Sequence, residues 1–111
     1  MKNTDYFPLA NLIIEILPYL SEEKDFALKG GTAINYFYRD IPRLSIDIDL
    51  TFLPVMARTA SLIRISEGLE RISNRISRIS GVRVFHKIAN NNTTRLVVNK
   101  DGMAIKINPI W

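Results

Sequence analysis

Arg43–Leu50 reads RLSIDIDL, with two aspartates two residues apart inside a run of isoleucine and leucine. Strict alternation and β-branched residues predict a strand, carried on through Thr51, Phe52 and Leu53 and ended by Pro54. Successive side chains of a strand point to opposite faces. Ser45, Asp47 and Asp49 therefore share one face, and Ile46, Ile48 and Leu50 share the other. The apolar set is expected in the core and the polar set along a cleft. Strand rise places the two aspartate Cα atoms about 7 Å apart, near enough for both carboxylates to engage hard cations and, without one, to repel each other. Mg²⁺ ions about 3.5–4 Å apart stabilise the attacking and leaving oxygens of phosphoryl or nucleotidyl transfer, an arrangement that usually takes a third acid. A lone Asp-x-Asp is more often a solvated strand face, so its surroundings carry the argument.

Upstream, FALKGG (26–31) reads as a short buried strand meeting a glycine pair, and TAINYFYRD (32–40) as a helix with Ala33, Ile34 and Phe37 turned inward. Gly30 and Gly31 then occupy a strand-to-helix turn. There the backbone can approach a ligand, and the amides opening a helix favour phosphate. A glycine pair alone is weak support. Before it, Pro8 suits a first helical turn, Leu9, Leu12, Ile13, Ile16 and Leu17 recur at helical spacing, and Pro18 should end or kink the helix.

Downstream, Leu62, Ile65, Leu69, Ile72, Ile76 and Ile79 form a core-facing stripe on a helix expected over 57–80. Three strand-like runs follow, VRVFHKI, TTRLVVN and MAIKINPI; ANNNTT is expected as a polar loop, and NKDG as a tight hairpin turn. The order is helix, strand, helix, strand, long helix, three strands. That pattern is α/β (α+β), on one mixed sheet flanked by helices.

With 111 residues, 47% hydrophobic and 23% charged, the chain suits a single soluble domain over 1–111, and no apolar run approaches the roughly 20 residues of a membrane span. Asp5, Glu15 and the lack of a small-residue cleavage site argue against a signal peptide, so a cytoplasmic protein is expected. Without cysteine, disulfides and thiolate chemistry are excluded; with His86 as the one histidine, so are multi-histidine zinc sites. Any metal must be held by oxygen. The net charge of +4 suits a phosphate-bearing ligand but is also common in proteins that bind none. No Walker-type motif supports a P-loop NTPase.

Several other residues have an ordinary reading. His86 is expected in a core or surface role. Tyr36, Phe37 and Tyr38 are expected to pack, and Trp111 to plug the core. Arg64, Arg71, Arg75 and Arg78 lay a basic stripe along the long helix, either a track for a nucleic-acid backbone or, more often, a solvated face offset by Glu67 and Glu70.

Gly30-Gly31-Thr32 followed by Asp47-x-Asp49 is a more specific constellation. The run LKGGTAINYFYRDIPRLSIDIDLTFLP resembles the signature of the AbiEii/AbiGii-type nucleotidyltransferases, toxin components of phage-defence and toxin–antitoxin systems within the DNA polymerase β-like superfamily. The resemblance implies the polymerase β-like fold and transfer of a nucleotidyl group from an NTP to an acceptor, with RNA the expected one. It implies Mg²⁺ (or Mn²⁺) on Asp47 and Asp49 and triphosphate contacts at Gly30, Gly31 and Thr32. Lys29, Arg43 and Ser45 also match and would surround the phosphates, and a cognate antitoxin is an expected partner.

One element of the pattern is missing. The family motif K-[IV]-E-[VI]-N supplies a third acid on a later strand; here the matching place is AIKINPIW. Aligned on its lysine, Asn108 takes the acidic position; aligned on its Asn-Pro, Lys106 does. Neither supplies negative charge. Of the later acids, Glu67 and Glu70 belong to the long helix, and Asp101 suits the hairpin turn. The family's C-terminal helical region is also expected to be lacking. The alternative expectation is thus a catalytically silent, truncated nucleotidyltransferase-fold protein that binds nucleotide, nucleic acid or a partner protein.

Overall fold

The protein is seen in a computed structural model that describes residues 7–28, 33–37 and 43–111. Its elements in chain order are α1 (Phe7–Ser21), β1 (Phe26–Leu28), β2 (Ala33–Phe37), β3 (Arg43–Phe52), α2 (Arg58–Ile76), β4 (Arg83–Ala89), β5 (Asn92–Lys100) and β6 (Met103–Ile110). The strands form one mixed sheet in the order β1-β3-β6-β5-β4, with β2 also paired to β3. Only the β3–β6 contact is parallel among the described strands. This is the α+β arrangement expected from the sequence.

β3 organises the sheet. Its alternation holds: Ile46, Ile48, Leu50 and Phe52 are buried, while Asp47 and Asp49 are half-exposed. The buried set meets Met103, Ile105 and Ile107 of β6, Leu96 and Val98 of β5, Leu9, Leu12, Ile16 and Leu20 of α1, and Ile65, Leu69, Ile72 and Ile76 of α2. Both helices therefore cover the same face of the sheet, and no described element covers the other. Pro18 does not end α1, which runs three residues further to Ser21. A proline near a helix C-terminus costs one donor, and Leu20 beyond it is fully buried, so burial holds the last turn in place.

Four further expectations need correction. Residues 33–37 form a strand, not a helix, pairing antiparallel with β3 from Ala33↔Asp47 to Phe37↔Arg43. A five-residue run cannot separate a period of 3.6 from a period of 2, and the edge of β3 offers the hydrogen-bond partners that favour the extended form. The long helix stops at Ile76 rather than continuing to 80; Ser77 and the glycine at 81, with φ of 80°, turn the chain back toward β4. The expected polar loop at ANNNTT is a two-residue turn, Asn90 and Asn91 both taking positive φ, the asparagine-tolerated geometry of a tight hairpin. Asp101 and Gly102 form the second such turn, as read from the sequence. Trp111 does not plug the core: it is 52% exposed, with the Arg58 guanidinium 5.2 Å from its ring centroid.

Candidate active site

The face of β3 turned away from the helices carries Ser45, Asp47 and Asp49. Their buried neighbours Ile46, Ile48 and Leu50 fix the strand, so the two carboxylates are presented from a rigid element rather than a loop. Ser45 itself is buried, at 7% exposure. On one edge of β3 the chain leaves β1 with Leu28 beside Leu50 and re-enters the sheet with Ala33 beside Asp47. The expected phosphate-binding residues Lys29, Gly30, Gly31 and Thr32 lie outside the described residues. Arg43 opens β3 opposite Phe37. Because Ala33–Phe37 is a strand, a helix N-terminus is not what the structure offers to phosphate there.

On the other edge β6 runs parallel to β3, pairing Asp47 with Lys106 and Asp49 with Asn108. Both residues that alternative alignments put at the third-acid position therefore stand in the carboxylate rows, on the same face. The Asn108 amide reaches toward an Asp49 carboxylate oxygen at 3.5 Å, a long and weak contact. Among the described residues no three acidic, histidine or cysteine side chains come together to hold a metal ion. Asp101 is in the hairpin turn, five residues before Lys106 and so about 16 Å along the strand. It does not supply the missing charge. Two carboxylates on one strand face still suit a single Mg²⁺, which commonly takes one or two carboxylates and completes its shell with water and phosphate oxygens.

The arginine stripe of α2 has a structural use that sequence reasoning missed. Arg64 donates to both oxygens of Asp25, at 2.7 and 3.1 Å. Arg71 and Arg75 close on Glu23, each with a 2.7 Å contact, and Arg75 also reaches Glu22 at 3.2 Å. Glu23 is only 4% exposed. Burial pushes its carboxyl up, but the hydrogen bonds and charges of Arg71 and Arg75 outweigh burial and hold it below the ordinary glutamate range. The stripe fastens the α1–β1 connection to α2. The signal available beforehand was the acidic cluster at 22–25, complementary to the stripe but some 40 residues away.

His86 also settles into a structural role. Its Nδ1 lies 2.9 Å from Glu70 Oε2, its Nε2 lies 2.8 Å from Ser73 Oγ, and the Thr93 hydroxyl donates to the same Glu70 oxygen. Nδ1–H donation to Glu70 satisfies the carboxylate, and the Ser73 hydroxyl, which can donate or accept, satisfies Nε2 in either protonation state of the ring. Donation by Thr93, then by His86, holds the Glu70 carboxyl below its usual range despite partial burial. The order serine, histidine, glutamate resembles a hydrolytic triad, yet Ser73 is 5% exposed between helix and sheet, so no substrate carbonyl can approach its hydroxyl. It is a strut between α2 and the β4–β5 hairpin.

A mixed sheet closed by helices on one face and presenting paired carboxylates on the other defines an α+β domain of the nucleotidyltransferase-like class. The family model described as "Nucleotidyl transferase AbiEii toxin, Type IV TA system" matches residues 13–110. The chain belongs to the AbiEii family, nucleotidyltransferase toxins of type IV toxin–antitoxin systems. Nothing among curated proteins or solved structures matches it. Among the described residues no helix is long and apolar enough to cross a membrane.

Proposed function

We propose that this domain transfers a nucleotidyl group from an NTP to an acceptor, with RNA as the acceptor class, and that Asp47 and Asp49 hold one Mg²⁺ or Mn²⁺ ion. The observation that carries this reading is the shared, half-exposed face of Asp47 and Asp49 on a strand whose opposite face is locked in the core. When bound, the ion would offset charge on the transferring phosphate. Asp47 and Asp49 supply its charged ligands, and Ser45 lies one strand step from Asp47 on the same face. Lys29, Gly30, Gly31, Thr32 and Arg43 are proposed to bind the triphosphate, and a cognate antitoxin to bind the protein, as family membership supports.

Lys106 and Asn108 beside the carboxylates favour a second reading, a catalytically silent domain of the same fold that binds nucleotide, nucleic acid or a partner protein. A cation next to Asp47 weakens divalent binding, and an amide next to Asp49 adds no charge and cannot act as a base. One experiment separates the two. The protein is incubated with α-labelled NTPs, Mg²⁺ or Mn²⁺ and total RNA, with Asp47→Asn as control. Label on RNA that disappears in the variant establishes transfer; no label under any metal or NTP establishes the silent domain.

A further inference from the structure

The face of the sheet that holds Asp47 and Asp49 continues across β6, β5 and β4 with a different character. Cross-strand partners share a face, so the row from Asp47 runs through Lys106 and Val97 to Phe85. Three strand spacings separate its ends, about 14 Å. Phe85 is 51% exposed, an unusual setting for an aromatic ring on a strand. Around it on the same face stand Arg83 and Lys87 of β4 and Arg95 of β5. The three strands contain no aspartate or glutamate. None of Arg83, Lys87, Arg95 and Lys106 forms an ion pair among the described residues, unlike Arg64, Arg71 and Arg75 on the helix side.

Lys87 and Arg95 are direct cross-strand partners. Like charges in that position destabilise a sheet unless an anion lies over both. A second copy of the chain would bring cations against cations. An acidic protein would answer the charge but leaves the exposed ring without a matching surface. A flat sheet face with an aromatic ring among cations suits a polyanion that also carries planar groups, because bases stack on the ring while phosphates take the arginines and lysines.

We infer that the uncovered face of β4, β5 and β6 binds single-stranded nucleic acid, a base stacking on Phe85 and phosphates held by Arg83, Lys87, Arg95 and Lys106. The surface stands on its own residues and does not require the transfer reading. If transfer does occur, the strand lies in line with Asp47.

The test is fluorescence anisotropy of the full chain with labelled single-stranded 12-mers of RNA and DNA, without NTP, using wild type, Phe85→Ala, Phe85→Trp and the double variant Arg83→Glu/Lys87→Glu. Phe85→Ala should bind about 5- to 100-fold more weakly, with an unchanged melting temperature, and Phe85→Trp should retain binding. The double charge reversal should abolish it. Engaging about four phosphates gives a log–log salt slope near −3, so raising salt from about 50 to about 200 mM should cost about 50-fold. Absence of binding at about 50 mM salt overturns the inference, as does unaltered binding by Phe85→Ala. Equal competition by polyglutamate would assign the face to an acidic protein instead. Binding with no nucleotidyl transfer leaves this surface intact and removes only the enzymatic reading; transfer without Phe85-dependent binding does the reverse.

Discussion

The two faces of the sheet are built from the same strands, residue by residue in alternation, and differ in almost everything else. On the helix side β3, β5 and β6 contribute buried aliphatic rows, and the polar and charged groups around them, Glu23, Arg71, Arg75, Glu70 and His86, are matched to partners within hydrogen-bond distance. On the other side the charges are sorted rather than matched: aspartates on β3, cations on β4 and β5, and Lys106 on β6 between them. Matched charges hold a structure together. Like charges set side by side, as Lys87 is opposite Arg95, cost stability in the isolated protein, a cost that a bound anion offsets.

That contrast fixes the ranking of substitutions. Leu69→Ala, which empties a fully buried site between helix and sheet, should destabilise by about 2–5 kcal/mol in denaturant unfolding. A cost below about 1 kcal/mol would mean the covered face is not the core. Glu23→Gln should cost about 1.5–3 kcal/mol, because it leaves Arg71 and Arg75 sharing a neutral partner. Double-mutant cycles with Arg71→Ala would show coupling if the network acts as one unit.

Gly68→Ala bears on how closely the helix approaches the sheet. A β-carbon there would lie 2.7 Å from the Phe26 ring, which is itself buried against Phe52. Alanine favours a helix by about 1 kcal/mol over glycine, so net destabilisation, expected at about 1–2 kcal/mol, would show that overpacking prevails. A stabilised variant would show that α2 can move away from β1.

Acid should affect the matched side. Glu23 and Glu70 titrate below the ordinary glutamate value of 4.5 in the folded protein. Their contribution is therefore complete above that value and is lost as pH falls through the lower, folded pKa values. Thermal melts between about pH 7 and pH 3 should fall less steeply for Glu70→Gln than for wild type. Parallel curves would mean that the Glu70–His86–Thr93 strut contributes nothing. The smallest effect belongs to the open face, where Phe85→Ala should change stability by no more than about 0.5 kcal/mol.

Much of the covered side was legible because it is periodic. The alternation of Ile46, Ile48 and Leu50, the stripe from Ile65 to Ile76 and the Asp101-Gly102 turn are local patterns with one physical reading. Ala33–Phe37 was not, because only the neighbouring edge of β3 chooses between its two extended and coiled readings. The Glu23–Arg71–Arg75 network joins residues 48 and more positions apart, beyond the reach of any spacing rule. Of the candidate site, the aspartate pair could be read from alternation alone, and resemblance added the glycines. That Lys106 and Asn108 both flank the aspartates depends on the parallel register of β6, which the sequence presents only as two competing alignments.

The order in which these contacts form has its own consequence. β4, β5 and β6 are joined by two-residue turns, so the meander can close on itself within microseconds, as short hairpins do. The parallel contact of Asp49 with Asn108 spans 59 positions and must overcome a much larger loop-closure entropy before it returns anything. During synthesis, the carboxylate rows cannot be assembled until β6 has emerged from the ribosome. Any activity that depends on them is thereby silent until β6 has joined β3, a delay imposed by topology alone.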